Sequence, residues 1–266
     1  MTLMSEPDRR LIMAVDMERY SRHDDAGQAR AQTDFRQLMQ KAAERCGLDR
    51  AEWDIQPTGD GELSLFPEAV SEPRIIAELV PAIDTILRDH NRYAASWAQV
   101  RLRVAIHQGL VTRTENGYAG SAVVTAARLV DATPLRDALK RFPLACVVMI
   151  VSSTIYRDVV SQSYSGIRAD RYQRVAVRIK SFADDGWIFV PDENVNSAGE
   201  LPVGLASAPV SPTSVSPGTA PEAPAMTGGS SFSFGTVTNR GPTVFGDHAR
   251  IVGHTETSGG DGTTWR

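Results

Sequence analysis

Asp16 closes the apolar run Leu11 to Val15 in "RLIMAVDMERYS", and Asp60 sits in the turn of "QPTGDGELSLFP", between two stretches that alternate like strands. The glycines flanking Asp60 reach positive φ without a Cβ penalty, so a tight hairpin turn is the simplest reading of "GDGE". A second reading assigns chemistry. If the strands bearing Asp16 and Asp60 are neighbours in one sheet, both carboxylates emerge at the same edge and repel each other unless a cation joins them. Two carboxylates that hold divalent metal serve in-line phosphoryl or nucleotidyl transfer, one ion acidifying the attacking hydroxyl and the other neutralising a triphosphate. Acidic turn residues are common, so spacing alone leaves both readings standing.

The elements that must position these residues are legible from periodicity. "QARAQTDFRQLMQKAAERCGL" places Phe35, Leu38, Met39, Ala42 and Ala43 at helical spacing, with Gly47 as its stop. "EPRIIAELVPAIDTILRDHNRYAASW" predicts a second helix with Ile76, Leu79, Val80, Ile83 and Leu87 on one face. "VRLRVAIHQGLV" reads as a half-buried strand, "GSAVVTAARLVDAT" as a helix and "LACVVMIV" as a strand buried on both faces. "SSTIYRDVV" is a Ser- or Thr-capped helix, and "YQRVAVRIKSFADDGWIFV" a closing hairpin. The expected order is β, α, ββ, α, β, α, β, α, ββ, an α/β or α+β arrangement of helices on a mixed sheet.

Composition narrows the function. A net charge of −4 and a pI near 5.8 exclude a nucleic-acid binder that relies on a basic face. Cys46 and Cys146 lie far apart with no metal-ligand or redox spacing. No secretory signal opens the chain, and "LACVVMIV" is too short to span a bilayer, so a cytoplasmic protein with no membrane partner is expected.

Four segments in order, "AVDMERYS", "PTGDGELSLF", "RVAIHQGLV" and "GYAGSAVVTAARLVDA", resemble the successive motifs of class III nucleotidyl cyclases, the adenylate and guanylate cyclase catalytic domain. The resemblance covers about residues 9 to 191 and implies an α+β, ferredoxin-like class III cyclase domain, a mixed sheet with packed helices. It further implies a head-to-tail homodimer with the active site across the seam, Mg²⁺ or Mn²⁺ as a pair of ions, and a nucleoside triphosphate as substrate. By position, Asp16 and Asp60 match the metal-binding aspartates, and Arg128 matches the arginine that stabilises charge on the α-phosphate. Lys180 falls near a late lysine that touches the terminal phosphates, without the glycines that surround it in the family.

The departures carry information too. Val124 stands where the family has an asparagine, Gln56 and Gly117 where it has its adenine-reading lysine and aspartate, and Arg19 where a glycine precedes the phosphate-cradling backbone. With the metal pair kept and the purine-reading pair lost, two functions remain. One is a cyclase with a base preference other than adenine, such as the pyrimidine preference of bacterial anti-phage cyclases. The other is an inactive cyclase-homology module that binds nucleotide or only dimerises.

Bland readings accompany each residue. His107 is a framework strand histidine rather than a base, and Arg128, without the resemblance, is a solvated helix arginine. Arg19 is an extra phosphate ligand or a surface charge, and Gln56 a base-edge contact or an exposed strand residue. Trp53, Trp97 and Trp187 read as core and interface aromatics.

Residues 192–231 are rich in Pro, Ser and Ala and are expected to form a disordered linker. Residues 232–266 set short β-prone triplets between Gly, Asn and Asp corners. That tail loosely resembles bacterial amyloid-signalling motifs, which implies an effector protein as partner; a low-complexity end is the alternative.

Overall fold

Strand β1 (Asp8–Met17) is buried on both faces from Leu11 to Val15, and that double burial places it in the interior of a sheet. Its odd residues Leu11, Met13, Val15 and Met17 join one core, while Ile12 and Ala14 join another. The computed structural model describes residues 6–115, 117–164, 166–179 and 181–197. The tail assignments beyond residue 197 lie outside these residues, as does Lys180.

The first core is roofed by α1 (Asp25–Arg45), which buries the five residues its periodicity points inward, Phe35, Leu38, Met39, Ala42 and Ala43. Asp24 caps it by accepting the Gly27 N–H at 2.8 Å. Beside it runs α2 (Glu72–Arg74), a π-turn (Ile75–Leu79) and α3 (Val80–Tyr93). Pro81 explains the π-turn: a proline within a helix donates no N–H and crowds the carbonyl of the preceding turn, which widens the ladder there.

The mixed eight-stranded sheet runs β2 (Asp54–Pro57), β3 (Gly61–Leu65), β1, β4 (Leu102–Thr114), β6 (Val147–Ser152), β8 (Phe182–Phe189), β7 (Gln173–Ile179). Among the described strands only β4 and β6 pair in parallel, and β5 (Gly117–Ala119) folds back on the end of β4. Between β4 and β6 the chain crosses through α4 (Ser121–Val130) and α5 (Thr133–Arg141), which cover the second core. Ser152 caps the short α6 (Ser153–Ile155), which continues as a π-turn (Tyr156–Val160).

The expected elements are present, with two additions. Both α5 and β5 fall in stretches to which the sequence reading assigns no element. The first is nine residues long and led by Pro134, yet it buries Leu135, Ala138 and Leu139. The second is three residues long. Trp53 packs on Phe66 and Trp187 stacks on Tyr156, whereas Trp97 is 58% exposed. No described helix is long and apolar enough to cross a membrane.

Candidate functional site

β1 and β3 run antiparallel with Asp16 opposite Gly61, so the residue before Gly61 turns over the end of β1. The turn is closed by Thr58 N–H to Gly61 O and Asp60 N–H to Thr58 O, both 3.1 Å, with Gly59 at φ +84°. Met17 N–H then donates to Asp60 O at 2.8 Å, locking the turn onto β1. Only a glycine fits at position 61, because the β1 backbone lies where a side chain would be. The consequence is that Asp60 is seated over the end of β1 beside Asp16, near enough for its charge to act on the Asp16 carboxyl.

Burial pushes the Asp16 carboxyl up to about 7. The Arg103 guanidinium pulls the other way, and the Asp60 carboxyl, through a hydrogen bond and its charge, pushes up again. Arg103 stands opposite Asp16 across the β1–β4 ladder and donates to Asp16 Oδ2. Among the described residues its Nε is buried without a partner, a donor left over for another acceptor. Two carboxylates, an opposed guanidinium and an orphaned donor suit a shared cation with a phosphate beside it. Among the described residues no group of three or more His, Cys, Asp or Glu could hold a metal ion. Other donors to a cation here would have to be substrate oxygens, water or backbone carbonyls.

The chain after Asp16 is held from two sides. Arg101 Nη1 donates to Glu18 Oε2 at 2.9 Å, and the same guanidinium donates to the carbonyls of Leu139, Phe142 and Ala145. Arg19 follows with φ +63°, a left-handed conformation that a glycine adopts freely and an arginine does not. Its side chain is 64% exposed, 4.0 Å from Glu18. The position thus keeps glycine-like backbone without the glycine.

Gln56 and Gly117 adjoin each other: a Cβ on Gly117 would lie 3.0 Å from Gln56 Oε1. On the same strand Asp54 accepts from the Tyr118 hydroxyl at 2.7 Å and from Arg10 at 3.2 Å. The Tyr118 hydrogen bond, with Arg10 and Arg113, holds the Asp54 carboxyl below the usual carboxylate range. Asp54, Tyr118 and Arg103 were not singled out from the sequence. The available signals were the two-residue alternation Asp54, Gln56 and the pair Arg101, Arg103 in "VRLRV".

Arg128 is not brought to the aspartates by this chain. Its guanidinium lies 5.4 Å from the Phe182 ring centroid and has no hydrogen bond or ion pair among the described residues. One turn earlier Val124 is 47% exposed. His107 pairs with Ile12, four residues along β1 from Asp16 and so about 13 Å away at strand rise. Its Nδ1 meets Ser152 Oγ at 2.9 Å, and burial lowers its pKa. That is a framework environment. Cys46 and Cys146 are both buried free thiols.

No protein-family model matches the chain. Among solved structures it is similar to an adenylate/guanylate cyclase/hydrolase from Silicibacter pomeroyi, with 20% identity and a TM-score of 0.52 over 71% of this chain and all of that one. It is also similar to the guanylyl cyclase Cya2, with 16% identity and a TM-score of 0.49 over 71% of this chain and 93% of that one. A curated relative, the glycine–tRNA ligase beta subunit of Moorella thermoacetica, is 29% identical over 126 residues, 45% of this chain; the chain spans 18% of that subunit. The first of these likenesses shows the fold: the chain has a class III cyclase-like α+β architecture.

Proposed function

We propose that the chain is a nucleotidyl cyclase-like protein that converts a nucleoside triphosphate to a 3′,5′-cyclic nucleotide and pyrophosphate as a head-to-tail homodimer. The observation that carries this reading is the turn that seats Asp60 over the end of β1, beside Asp16 and its partner Arg103. A carboxyl pair this close, with one member pushed up to about 7, is poised to exchange its proton for cations. Bound there, two Mg²⁺ or Mn²⁺ ions would acidify the ribose 3′-hydroxyl and neutralise the triphosphate.

Asp16 and Asp60 would bind that pair, freeing Arg103 to turn its guanidinium, including the orphaned Nε, toward phosphate oxygens. Arg128 of the second copy would face the α-phosphate as the 3′-oxygen bonds to phosphorus and the bond to the β-phosphate oxygen breaks. The hydroxyl proton leaves to water, and pyrophosphate leaves in line. Lys180 would grip that leaving group. Arg19 would add a phosphate contact. The Gln56 amide, which both donates and accepts, would read the base beside Gly117 in place of a lysine and aspartate, favouring a base other than adenine.

The test is turnover of ATP, GTP, CTP and UTP by purified protein with Mn²⁺. Cyclic product from at least one, abolished by Asp60→Ala, supports the reading; none from any of the four overturns it.

A second reading is favoured by Val124. An apolar side chain, 47% exposed where the resemblance places a polar orienting residue, suits contact between chains better than catalysis. On this reading the domain is a non-catalytic dimerisation or nucleotide-binding module in a signalling or defence system, and residues 232–266 recruit an effector protein. It expects normal cellular function from the Asp16→Ala/Asp60→Ala double variant and loss on deleting 232–266; the reverse pattern removes it.

A further inference from the structure

On the opposite face of the hairpin from the paired carboxyls, a cavity of about 350 Å³ opens between α1 and the β2–β3 ribbon. Phe35, Ile55 and Pro57 supply apolar walls. Arg50 and Glu62, 8% and 3% exposed, form a bidentate ion pair lining it and neutralise each other, with Ser64 donating to Glu62 at 2.8 Å. Arg36, also lining it, is exposed, and its guanidinium has no partner among the described residues. The lining therefore carries one uncompensated positive charge against an apolar body, in a volume typical of small-molecule sites.

We infer that this cavity binds a small amphipathic organic anion, a flat apolar group bearing a carboxylate, sulfonate or phosphate that pairs with Arg36. Apolar walls supply the burial that drives binding, and the guanidinium selects the charge. The site is wired to the hairpin. Gln32, in the cavity wall, donates through Nε2 to the Gly59 carbonyl and to the Tyr20 hydroxyl, both at 2.8 Å. Gly59 and Gly61 line the cavity and flank Asp60. A ligand seated against Phe35 and Gln32 thus stiffens both the turn carrying Asp60 and the loop after Asp16. The regulatory meaning rests on the cyclase-like reading, whereas the binding itself does not.

The probe is 8-anilinonaphthalene-1-sulfonate, titrated by fluorescence into the full chain without metal or nucleotide. One saturable site is expected, weakened at least about tenfold by Arg36→Glu, in proportion to a lost ion pair in a partly dry site. Gln40→Trp, from an exposed helix position that lines the cavity, should block it by filling the space. Lys41→Glu makes the same charge change on α1 outside the lining and should leave binding unaltered. Amide hydrogen exchange at residues 58–61 should slow in the bound state. Non-saturable binding, equal affinity in Arg36→Glu and wild type, an equal loss in Lys41→Glu, or unchanged hairpin exchange would overturn the inference. Each readout is independent of cyclase turnover, so an inactive protein with an intact site fails only the proposed function.

Discussion

Gly61 stands opposite Asp16 in the β1–β3 ladder, and a Cβ placed on it would sit 1.8 Å from the Val15 carbonyl oxygen. The glycine is therefore what lets the hairpin close far enough for Asp60 to meet Asp16. Gly61→Ala must push β3 from β1, with an overpacking cost of about 1–3 kcal/mol. We expect a lower urea midpoint and Mn²⁺ binding weakened by at least about tenfold, read by calorimetry. Weakened stability with unchanged Mn²⁺ affinity would separate the glycine from the site.

The raised Asp16 carboxyl fixes the sign of two pH effects. Its folded pKa is about 7 against an ordinary 3.8, so the folded chain keeps a proton that the unfolded chain releases within that window. The Asp16 contribution to stability is complete below the lower value, falls as pH rises between the two, and is flat above about 7. A cation must displace the same proton. Mn²⁺ affinity should therefore rise by up to about tenfold per pH unit below about 7 and level off above it. A flat affinity profile from pH 5 to 8 contradicts the assignment.

Arg50 and Glu62 form a pair buried almost completely, and removing one member strands the other charge in the core. Glu62→Gln should lose about 3–5 kcal/mol in urea denaturation, and Arg50→Met/Glu62→Leu should recover most of it. The double variant tests whether the pair serves stability or the cavity it lines: recovered stability with lost probe binding assigns it to the cavity.

Arg19 separates backbone from side chain. An L-residue held left-handed costs about 1–2 kcal/mol that glycine avoids. Arg19→Gly should leave stability equal or slightly higher, and Arg19→Val should lower it. If the guanidinium contacts phosphate, both variants lose triphosphate affinity alike; if only the backbone matters, Arg19→Gly keeps it.

How much of this was legible in the sequence depends on the range of the signal. The inward face of α1 and the strand-turn-strand around Asp60 follow from local periodicity and glycine chemistry, and they appear where expected. Asp16 and Asp60 were readable as a pair because each sits at a strand end beside a turn. Arg103 was not, because nothing local distinguishes it from Arg101; only the β1–β4 register sets one opposite Asp16 and turns the other to Glu18. The adjacency of Gln56 and Gly117 likewise needs two hairpins to be placed, and α5 was hidden by its length and its leading proline.

The separation of Arg128 from the aspartates within one chain leads to the most discriminating prediction. Its guanidinium rests on Phe182 and bonds to neither carboxylate among the described residues, so on the cyclase-like reading a second copy would have to bring it. In a head-to-tail dimer each of two equivalent seams would take aspartates from one chain and the arginine from the other. Asp60→Ala and Arg128→Ala should each be inactive alone, since each spoils both seams. Mixed in equal amounts and allowed to exchange, half the dimers are hybrids, and each hybrid has one seam with both residues intact and one with neither. Activity should return to about a quarter of wild type, the value set by random assortment of two chains over two isologous sites. Chains that build the site alone give no recovery on mixing, because every copy remains defective in its own residues; native mass spectrometry with one variant isotope-labelled shows whether exchange took place.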